Sequence, residues 1–463
     1  MTAEREAPAP GCGPRRRPQS YASPGARSTL SNAASPAPTF GIPLHFGLVC
    51  PPFPSHARAF EALATALAER GHRATFVMNA GAGGLVRPGP WSVREVGLGS
   101  PARTAGAGST GLFGILRTVA DAARRTEGLA AGGGAVLAAA GVDALLGDQM
   151  EPASGLLAAH LGLPFVSVAS ALPIDPDPAT PPPFLDWPFD DSAEGLRRNR
   201  GGRRVAGLLL RRQAEAIRRS ALSLGLPPRG GMEDWLAPLG TLSQTPPEFD
   251  FPYAGRRRIL RVGPLRAPGE GEAPLPFRPD PVRPLVFASL GTLQGHRLGL
   301  FRAVARACRR LGLDLAVAHC GRLSAAEAAT IDARVVTDFL PQRAMLRVAA
   351  ACVTHAGLNT VLDAMEAGVP TLAIPIAYDQ PGVAARLVHH GAGLRLARRR
   401  LAPDAVEAAL ERLLGEPRFR ERAGAIGAAI GRAGGARRAA EAAEAWVAET
   451  LHARSRPCMA EPA

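Results

Sequence analysis

The sequence predicts an α/β protein with two doubly wound domains that face each other across a cleft. Short apolar strands alternate with amphipathic helices from Leu44 onward, and a second alternating series begins at Leu285. Residues 265–284, between the two series, are dense in Pro and Gly. Alternating strands and helices are typical of parallel sheets, and a stretch rich in breakers is typical of an interdomain linker.

The pattern assigns the elements in chain order. Strands of the first domain are expected at 44–50, 74–78, 143–147 and 164–169, with helices at 56–70 and 152–161. Strands of the second are expected at 285–290, 314–319, 334–338, 351–355 and 370–376. The predicted organisation is a disordered arm (1–41), a first domain (42–264), a linker (265–284), a second domain (285–435), and a C-terminal helix crossing back to the first domain, followed by a tail (436–463).

Composition excludes several function classes. The chain has 463 residues and a formal charge of +14, and every one of its Lys and Arg residues is arginine. Without lysine there is no Schiff-base residue for pyridoxal phosphate, no P-loop lysine and no kinase ATP lysine. The basic charge leaves three interpretations open: nucleic acid, an anionic membrane surface, or a solvated arginine-rich surface.

Cysteine usage and hydropathy indicate a reduced, cytoplasmic protein without a spanning helix. The six cysteines share no C-x-x-C spacing, so a disulfide framework or a zinc site is not expected. No stretch reaches 18 uncharged apolar residues. A dinucleotide fold is disfavoured because the first strand–helix turn, Pro51–Pro54, lacks G-x-G-x-x-G, and the glycine cluster at 81–84 follows the wrong strand.

The most informative segment closes an apolar strand and opens a helix. It places His355, Gly357, Asn359 and Thr360 where the backbone N–H groups of a helix N-terminus are unpaired, which suits a diphosphate. Asp363 follows on the same helix, and the acid–amide pair 379–380 follows the next apolar run, where it could hold sugar hydroxyls. The segment predicts a pocket for a nucleotide sugar. Plain helix capping uses the same residue types and is the alternative.

A histidine and an acid in the first half suit acid–base chemistry. His56 lies just after the first strand, and the pKa of histidine is close to working pH, so it could accept a proton. Asp148 ends an apolar strand and could fix the imidazole tautomer, or could instead cap the following helix. His45 and His160 are weaker candidates, one within a strand and the other at a helix end.

These motifs resemble a known family. The run Phe339-Leu340-Pro341-Gln342, His355-x-Gly357-x-Asn359-Thr360, Gly368-Val369-Pro370 and Asp379-Gln380 resembles the donor-site signature of inverting UDP-sugar glycosyltransferases of the GT-B fold. Further segments are similar to the zeaxanthin glucosyltransferase branch: 51–56, 148–152, 169–173, 263–265 and 287–297. The resemblance covers roughly residues 44 to 435.

The resemblance implies a role for each candidate. His56 would be the base and Asp148 its partner. His355, Gly357, Asn359 and Thr360, with Ser289 and Thr292, would bind the diphosphate of UDP-glucose; Phe339 and Gln342 would face uracil and ribose; Asp363 would accept the ribose hydroxyls; Asp379 and Gln380 would bind glucose. No metal or other cofactor is expected, because the helix dipole would stabilise the leaving group.

Two positions depart from plant relatives. Phe339 stands where those have tryptophan, and Asp363 stands where they have glutamate. The shorter Asp363 leaves the ribose contact open to a water or a backbone adjustment.

The implied reaction is inverting transfer of glucose to the hydroxyls of zeaxanthin, a carotenoid. Macrolide, sterol or phenolic acceptors are alternatives, as is a UDP-sugar epimerase on the same fold. A nucleic-acid-binding protein fits the charge but lacks a reading motif. The basic segment 196–219 indicates peripheral contact with an anionic membrane, or a solvated helix over the cleft.

Overall fold

A computed structural model describes residues 42–96 and 112–455. The predicted arm at 1–41 and the end of the tail, 456–463, lie outside the described residues.

Two all-parallel sheets organise the chain. The strands of the first are β1 (His45–Val49), β2 (Arg73–Asn79), β3 (Ser92–Val96), β4 (Ala144–Asp148), β5 (Phe165–Ala169), β6 (Thr241–Ser243) and β7 (Ile259–Arg261). Those of the second are β8 (Leu285–Ser289), β9 (Asp314–Ala318), β10 (Val335–Thr337), β11 (Ala351–Thr354), β12 (Thr371–Ala373) and β13 (Gly393–Arg395). We call the two parts the first half and the second half.

Helices connect the strands. Those of the first half are α1 (Pro54–Glu69), α2 (Leu112–Ala140), α3 (Ala153–Leu161), α4 (Ala193–Leu209) and α5 (Arg211–Ser223). The others are α6 (Gly291–Gln294), α7 (Leu298–Arg310), α8 (Ala325–Ala328), α9 (Gln342–Val348), α10 (Leu358–Glu366), α11 (Gln380–His389), α12 (Pro403–Gly415), α13 (Pro417–Ala433) and α14 (Gly435–Ser455).

The strands are apolar because helices cover both faces of each sheet. Every residue of β1, β4, β5 and β8 is buried. The helix α1 buries Phe60, Leu63 and Leu67 in the core that contains the β1 side chains. The last helix, α14, contacts α1 and adds Trp446 and Val447 to that same core.

Strand order reverses once in each sheet. The first runs β3-β2-β1-β4-β5-β6-β7 and the second β10-β9-β8-β11-β12-β13. The chain therefore leaves β1 and β4 in opposite directions, as it also leaves β8 and β11, which opens a crevice at their carboxyl ends. Asp148 and Ser289 are the last residues of β4 and β8, and His56 and His355 lie beyond the ends of β1 and β11.

Buried polar contacts join the halves. Arg386 of α11 pairs with Asp250 of the first half at 2.7 Å, and both side chains are buried. The Nε2 atom of His390 lies 2.9 Å from the Asp250 carbonyl oxygen. The Gly382 N–H donates to the Pro183 carbonyl at 3.0 Å. These contacts fix how the two sheet edges face one another.

Two further features concern membrane-spanning helices and the cysteines. In the part of the chain that the structure describes, no helix combines the length and apolar character that a membrane crossing requires. Cys50, Cys308, Cys320 and Cys352 are free.

Candidate active site

The first half holds a hydrogen-bonded histidine–aspartate pair. The Nδ1 atom of His56 lies 2.7 Å from Oδ2 of Asp148, whose carboxylate is fully buried. The other oxygen, Oδ1, accepts the Met150 N–H at 2.9 Å. The helix α3 begins only after Pro152, so Asp148 does not cap it. An acidic partner on Nδ1 leaves Nε2 of His56 as the atom that can accept a proton.

Opposing effects act on the His56 imidazole. Burial lowers its pKa, but the charge and hydrogen bond of Asp148, with help from Asp379, raise the pKa above the ordinary histidine value. The cation Arg125 acts against this rise. The net result is an imidazole that is a stronger base than free histidine, which suits a group that accepts a proton.

Aromatic and cationic side chains surround this pair. Phe53 lies with its ring centroid 5.7 Å from His56 and 6.5 Å from Tyr378 of the second half. The Arg125 guanidinium of α2 lies 5.5 Å from the Phe53 centroid. Phe53 therefore contacts groups from both halves at the site. Arg125 and Tyr378 were not among the predicted site residues, because neither belongs to a recognisable motif.

A second acid lies behind the pair. Glu151 accepts a hydrogen bond from the Thr126 hydroxyl at 2.8 Å. Burial raises the pKa of its carboxyl to about 7, and the Arg125 charge opposes the rise. The Glu151 carboxyl therefore changes charge near pH 7.

His355 lies between two glycines in the second half. A Cβ at Gly291, where φ is +66°, would lie 2.7 Å from Cε1 of His355, and one at Gly357 would lie 2.8 Å away. Either collision would displace the ring, so both positions require glycine. Burial lowers the pKa of His355 to about 4, opposed by a hydrogen bond to the Ser289 backbone. The ring is a neutral donor at neutral pH.

The helix α10 presents an open N-terminus beside this ring. Its N-cap is Gly357, and no side chain caps it. Ala356, the residue before, is in the left-handed region with φ of +64°. Such strain is commonly held at functional turns. The free N–H groups and the helix dipole suit an anion. The alternative, that these residues only cap the helix, is not supported, because no side chain caps this N-terminus.

The other predicted donor-binding residues differ in their exposure and in their hydrogen bonds. Asn359 accepts a hydrogen bond from Gln244 of the first half at 3.4 Å, which leaves its NH₂ group free to donate. Ser289 is buried and its hydroxyl accepts the Gly291 N–H at 3.4 Å, whereas Thr292 is exposed. Phe339 has 69% of its surface exposed, as suits a platform for a planar ring.

Asp363 is held by groups from two elements. Gln342 donates its side-chain amide to Oδ2 of Asp363 at 2.5 Å and accepts from the Thr360 hydroxyl at 3.2 Å. Arg266, from the segment predicted as a linker, forms ion pairs with Asp363 and Glu366. Burial raises the pKa of Asp363, while Arg266 and Gln342 lower it. A ribose would meet a carboxylate that already has partners.

Asp379 and Gln380 face the first half. Asp379 accepts the Leu172 N–H at 3.3 Å and precedes α11 without a side-chain capping bond. Burial raises the pKa of its carboxyl, and nearby donors and His56 oppose this. The Gln380 carbonyl accepts N–H groups from Ile376 and Ala377 at 2.9 and 2.8 Å, which leaves the amide NH₂ as the group for a ligand.

The predicted residues thus gather at two facing sheet edges. His56 and Asp148 touch, as do Gln342, Thr360 and Asp363. His355, Gly357 and Ser289 form a third group, and Asp379 of the second half lies close enough to His56 to affect its pKa. Among the residues that sequence reasoning missed, Phe53 sits in the quoted run 51–56 and was within reach. Arg266 was not, because it lies in a segment without periodicity.

The chain matches one family model and several known proteins. Residues 316–431 match the family model described as Erythromycin biosynthesis protein CIII-like, C-terminal domain. The chain is 38% identical over 419 residues to a zeaxanthin glucosyltransferase of Pseudescherichia vulneris, covering 87% of this chain and 98% of that relative. The zeaxanthin glucosyltransferase of Pantoea ananas is 37% identical, and the match covers 86% of this chain and 95% of that relative. The chain belongs to the zeaxanthin glucosyltransferase family.

Solved glycosyltransferases confirm the fold. The calicheamicin glycosyltransferase CalG4 superposes with a TM-score of 0.68 at 23% identity, covering 88% of this chain and 99% of that one. The glycotransferase of kitacinnamycin superposes with a TM-score of 0.69 at 20% identity, and the match covers 87% of this chain and 99% of that one. The predicted α/β class and the GT-B fold are correct, and the protein is a glycosyltransferase.

One prediction concerns Asp148 and pH. Because the Asp148 charge raises the pKa of His56, Asp148→Asn should move the acid limb of kcat/KM for glycosyl transfer to lower pH. It should also lower the plateau by about 10²–10⁴-fold, since the imidazole loses its fixed tautomer. A pH–rate profile measures both. An acid limb that moves upward would contradict the pairing, and Glu151→Gln identifies any contribution from the second acid.

Another prediction concerns the Arg266 ion pairs. Arg266→Ala leaves the buried Asp363 without its ion-pair partner, whereas Glu366 keeps Arg343, and an acid left unpaired in this way costs about 3–5 kcal/mol of unfolding free energy. Arg266→Ala with Asp363→Asn should recover part of this loss in urea unfolding. Arg309→Ala, which removes an exposed pair with Asp332, is the control and should change stability little. Equal losses in both single variants would contradict the buried-pair assignment.

Proposed function

We propose that the protein transfers glucose from UDP-glucose, with inversion, to the terminal hydroxyls of zeaxanthin. The observation that carries the proposal is the His56–Asp148 pair facing the uncapped N-terminus of α10 beside His355. A base and an anion site on opposite walls of one crevice are what an in-line sugar transfer requires. The two zeaxanthin glucosyltransferases that resemble this chain over most of its length support the donor and the acceptor.

The proposed steps follow the geometry. The acceptor hydroxyl oxygen attacks the anomeric carbon while its proton passes to Nε2 of His56, and Asp148 stabilises the imidazolium. The bond between the anomeric carbon and the diphosphate oxygen breaks on the opposite face, and UDP leaves. The product is a β-glucoside, and a second round at the far hydroxyl makes the diglucoside.

The donor contacts are part of the proposal. The α10 N-terminus, with Gly357, Asn359 and Thr360, and the neutral His355 ring meet the charge that develops on the diphosphate, so no metal or other cofactor takes part. Ser289 and Thr292 bind the β-phosphate, and Phe339 and Gln342 contact uracil and ribose.

The sugar end of the donor lies nearer the base. Asp379 and Gln380 bind the glucose hydroxyls, and Asp363 accepts from ribose through a water or after a small backbone adjustment.

Location also belongs to the proposal. Free cysteines suit the cytoplasm, and a lipophilic acceptor suits an enzyme that rests at the inner face of the membrane. The basic segment 196–219 supplies charge for such peripheral contact.

A second acceptor class has its own support. The Erythromycin CIII-like family model and a 4'-demethylrebeccamycin synthase of Lentzea aerocolonigenes, 30% identical over 60% of this chain and 68% of that relative, favour antibiotic-like acceptors. The donor half of the chemistry would be unchanged.

The test is a product assay. Purified protein is incubated with UDP-glucose and zeaxanthin dispersed in detergent, and glycoside mass, anomeric configuration and UDP release are measured. We expect one and two hexose additions with β configuration. Transfer only to a macrolide, sterol or phenol would replace the acceptor, and an altered sugar nucleotide without glycoside would indicate an epimerase.

A further inference from the structure

The first turn of α2 is unusually apolar for an exposed segment. Phe113 has 88% of its surface exposed, and Ile115 and Leu116 have 45% and 43%. Arg117, next along, is also exposed. A cluster of large apolar side chains exposed on one helical turn is unfavourable in water and commonly marks an interaction surface. We call these three residues the apolar turn.

The helix α4 carries a basic face. Arg197, Arg200 and Arg204 recur at helical spacing and are exposed, and Val205 and Leu208 are exposed beside them. No acidic residue occurs between Gly195 and Leu209. Within the described residues, no hydrogen bond or ion pair engages these three guanidinium groups. We call them the arginine face. Paired arginines on the same helix, such as Arg203 at 2.6 Å from the Thr180 carbonyl, point inward instead.

The two features lie on the same side of the first half. The helix α5 runs beside α2 in the same direction, since Arg219 pairs with Glu127 at 2.6 Å and Leu224 meets His160 near Gly134. The junction of α4 and α5 at Leu210 therefore lies toward the N-terminal part of α2, and α4 contacts α2 directly. The end of α4 that carries Val205 and Leu208 thus lies on the side of the first half where α2 begins.

The helix α2 leads from this surface into the active site. Thr118 lies close enough to Tyr378 to lower the pKa of its hydroxyl, and Arg125 lies over Phe53 beside His56. From Leu116 to Arg125 the helix rises about 14 Å. A molecule that left a bilayer at the apolar turn would reach the base by following one helix.

We propose that the apolar turn and the arginine face together dock the enzyme on an anionic lipid bilayer and deliver the acceptor along α2. The apolar side chains enter the boundary between headgroups and acyl chains, and the arginines bind lipid phosphates. Arginine suits this because its planar guanidinium matches phosphate oxygens. Docking rests on the membrane location in the proposed function but not on the reaction, whereas the delivery step rests on the proposed acceptor.

The test separates the two parts. Flotation with phosphatidylcholine vesicles, with and without phosphatidylglycerol, is measured in the absence of substrates. Each arginine contributes about fivefold to binding near an anionic surface. Arg197→Gln/Arg200→Gln/Arg204→Gln should therefore lower affinity for the anionic vesicles by about 100-fold. The matched control is Arg306→Gln/Arg309→Gln/Arg310→Gln on α7, which removes the same charge from another exposed surface and should change binding little.

The apolar turn needs its own variant. Phe113→Ser/Leu116→Ser should weaken vesicle binding and reduce transfer to zeaxanthin held in vesicles. Transfer to detergent-dispersed zeaxanthin and the Kd for UDP should be unchanged. Thermal unfolding checks that all variants fold.

Several outcomes would overturn the docking proposal: equal wild-type binding to both vesicle types, equal losses in both arginine triples, or preferential binding of duplex DNA. Vesicle binding without any transfer to zeaxanthin would leave docking intact and overturn the proposed acceptor.

Discussion

Replacing His56 by alanine should lower kcat by about 10²–10⁴-fold while the Kd for UDP stays unchanged. The imidazole is the group in the first half that can accept the acceptor proton, and its 2.7 Å contact with Asp148 sets its tautomer. UDP is expected to bind on the opposite wall, so its affinity does not depend on this ring. Steady-state kinetics and isothermal titration with UDP measure the two quantities separately.

The control for this variant is another histidine in the same half. His160 is exposed at the end of α3, where Nδ1 lies 3.0 Å from the Leu224 carbonyl. His160→Ala should keep wild-type kcat. Normal turnover by His56→Ala, or parallel losses of turnover and UDP affinity, would show that His56 is not the base.

Replacing His355 by alanine should have the complementary signature. We expect kcat to fall by about 10²–10³-fold and the Kd for UDP to rise about tenfold, because the ring would donate to the diphosphate both when it binds and as it leaves. His355→Gln keeps an N–H donor and should recover part of both losses.

The pKa of His355 sharpens this prediction. Burial lowers that pKa to about 4, so the ring stays neutral from weakly acidic to alkaline pH. UDP affinity should therefore show no His355 titration in this range. A UDP Kd that is unchanged in His355→Ala would contradict the anion-site assignment, whatever the effect on turnover.

Local sequence signals predicted most of the regular structure. The strands at 44–50 and 351–355 are observed as His45–Val49 and Ala351–Thr354, because alternation of apolar runs with helical periodicity is a local property. The strands β3, β6, β7 and β13 and the long helix α2 were not predicted. The strands β6, β7 and β13 have three residues each and no longer apolar run around them to mark them, and they form because a neighbouring strand supplies their hydrogen bonds.

The residues of the site differed in how well the sequence predicted them. The segment from Phe339 to Gln380 is nearly continuous in sequence, so its order and chemistry could be interpreted directly. Arg266 could not be found this way, because its partners Asp363 and Glu366 lie about a hundred residues further along. Phe53 and Tyr378 meet only where the two halves face each other.

The sequence by itself determined the α/β class and the absence of lysine chemistry, and it predicted which residues would bind the anion and act as the base. Only the tertiary structure decided which of these residues lie together. His56 and Asp148 are 92 residues apart and touch because β1 and β4 are neighbours at the point where strand order reverses. Ser289 and His355 meet for the same reason beside β8 and β11. Strand order results from long-range packing of buried surfaces, which no local pattern encodes.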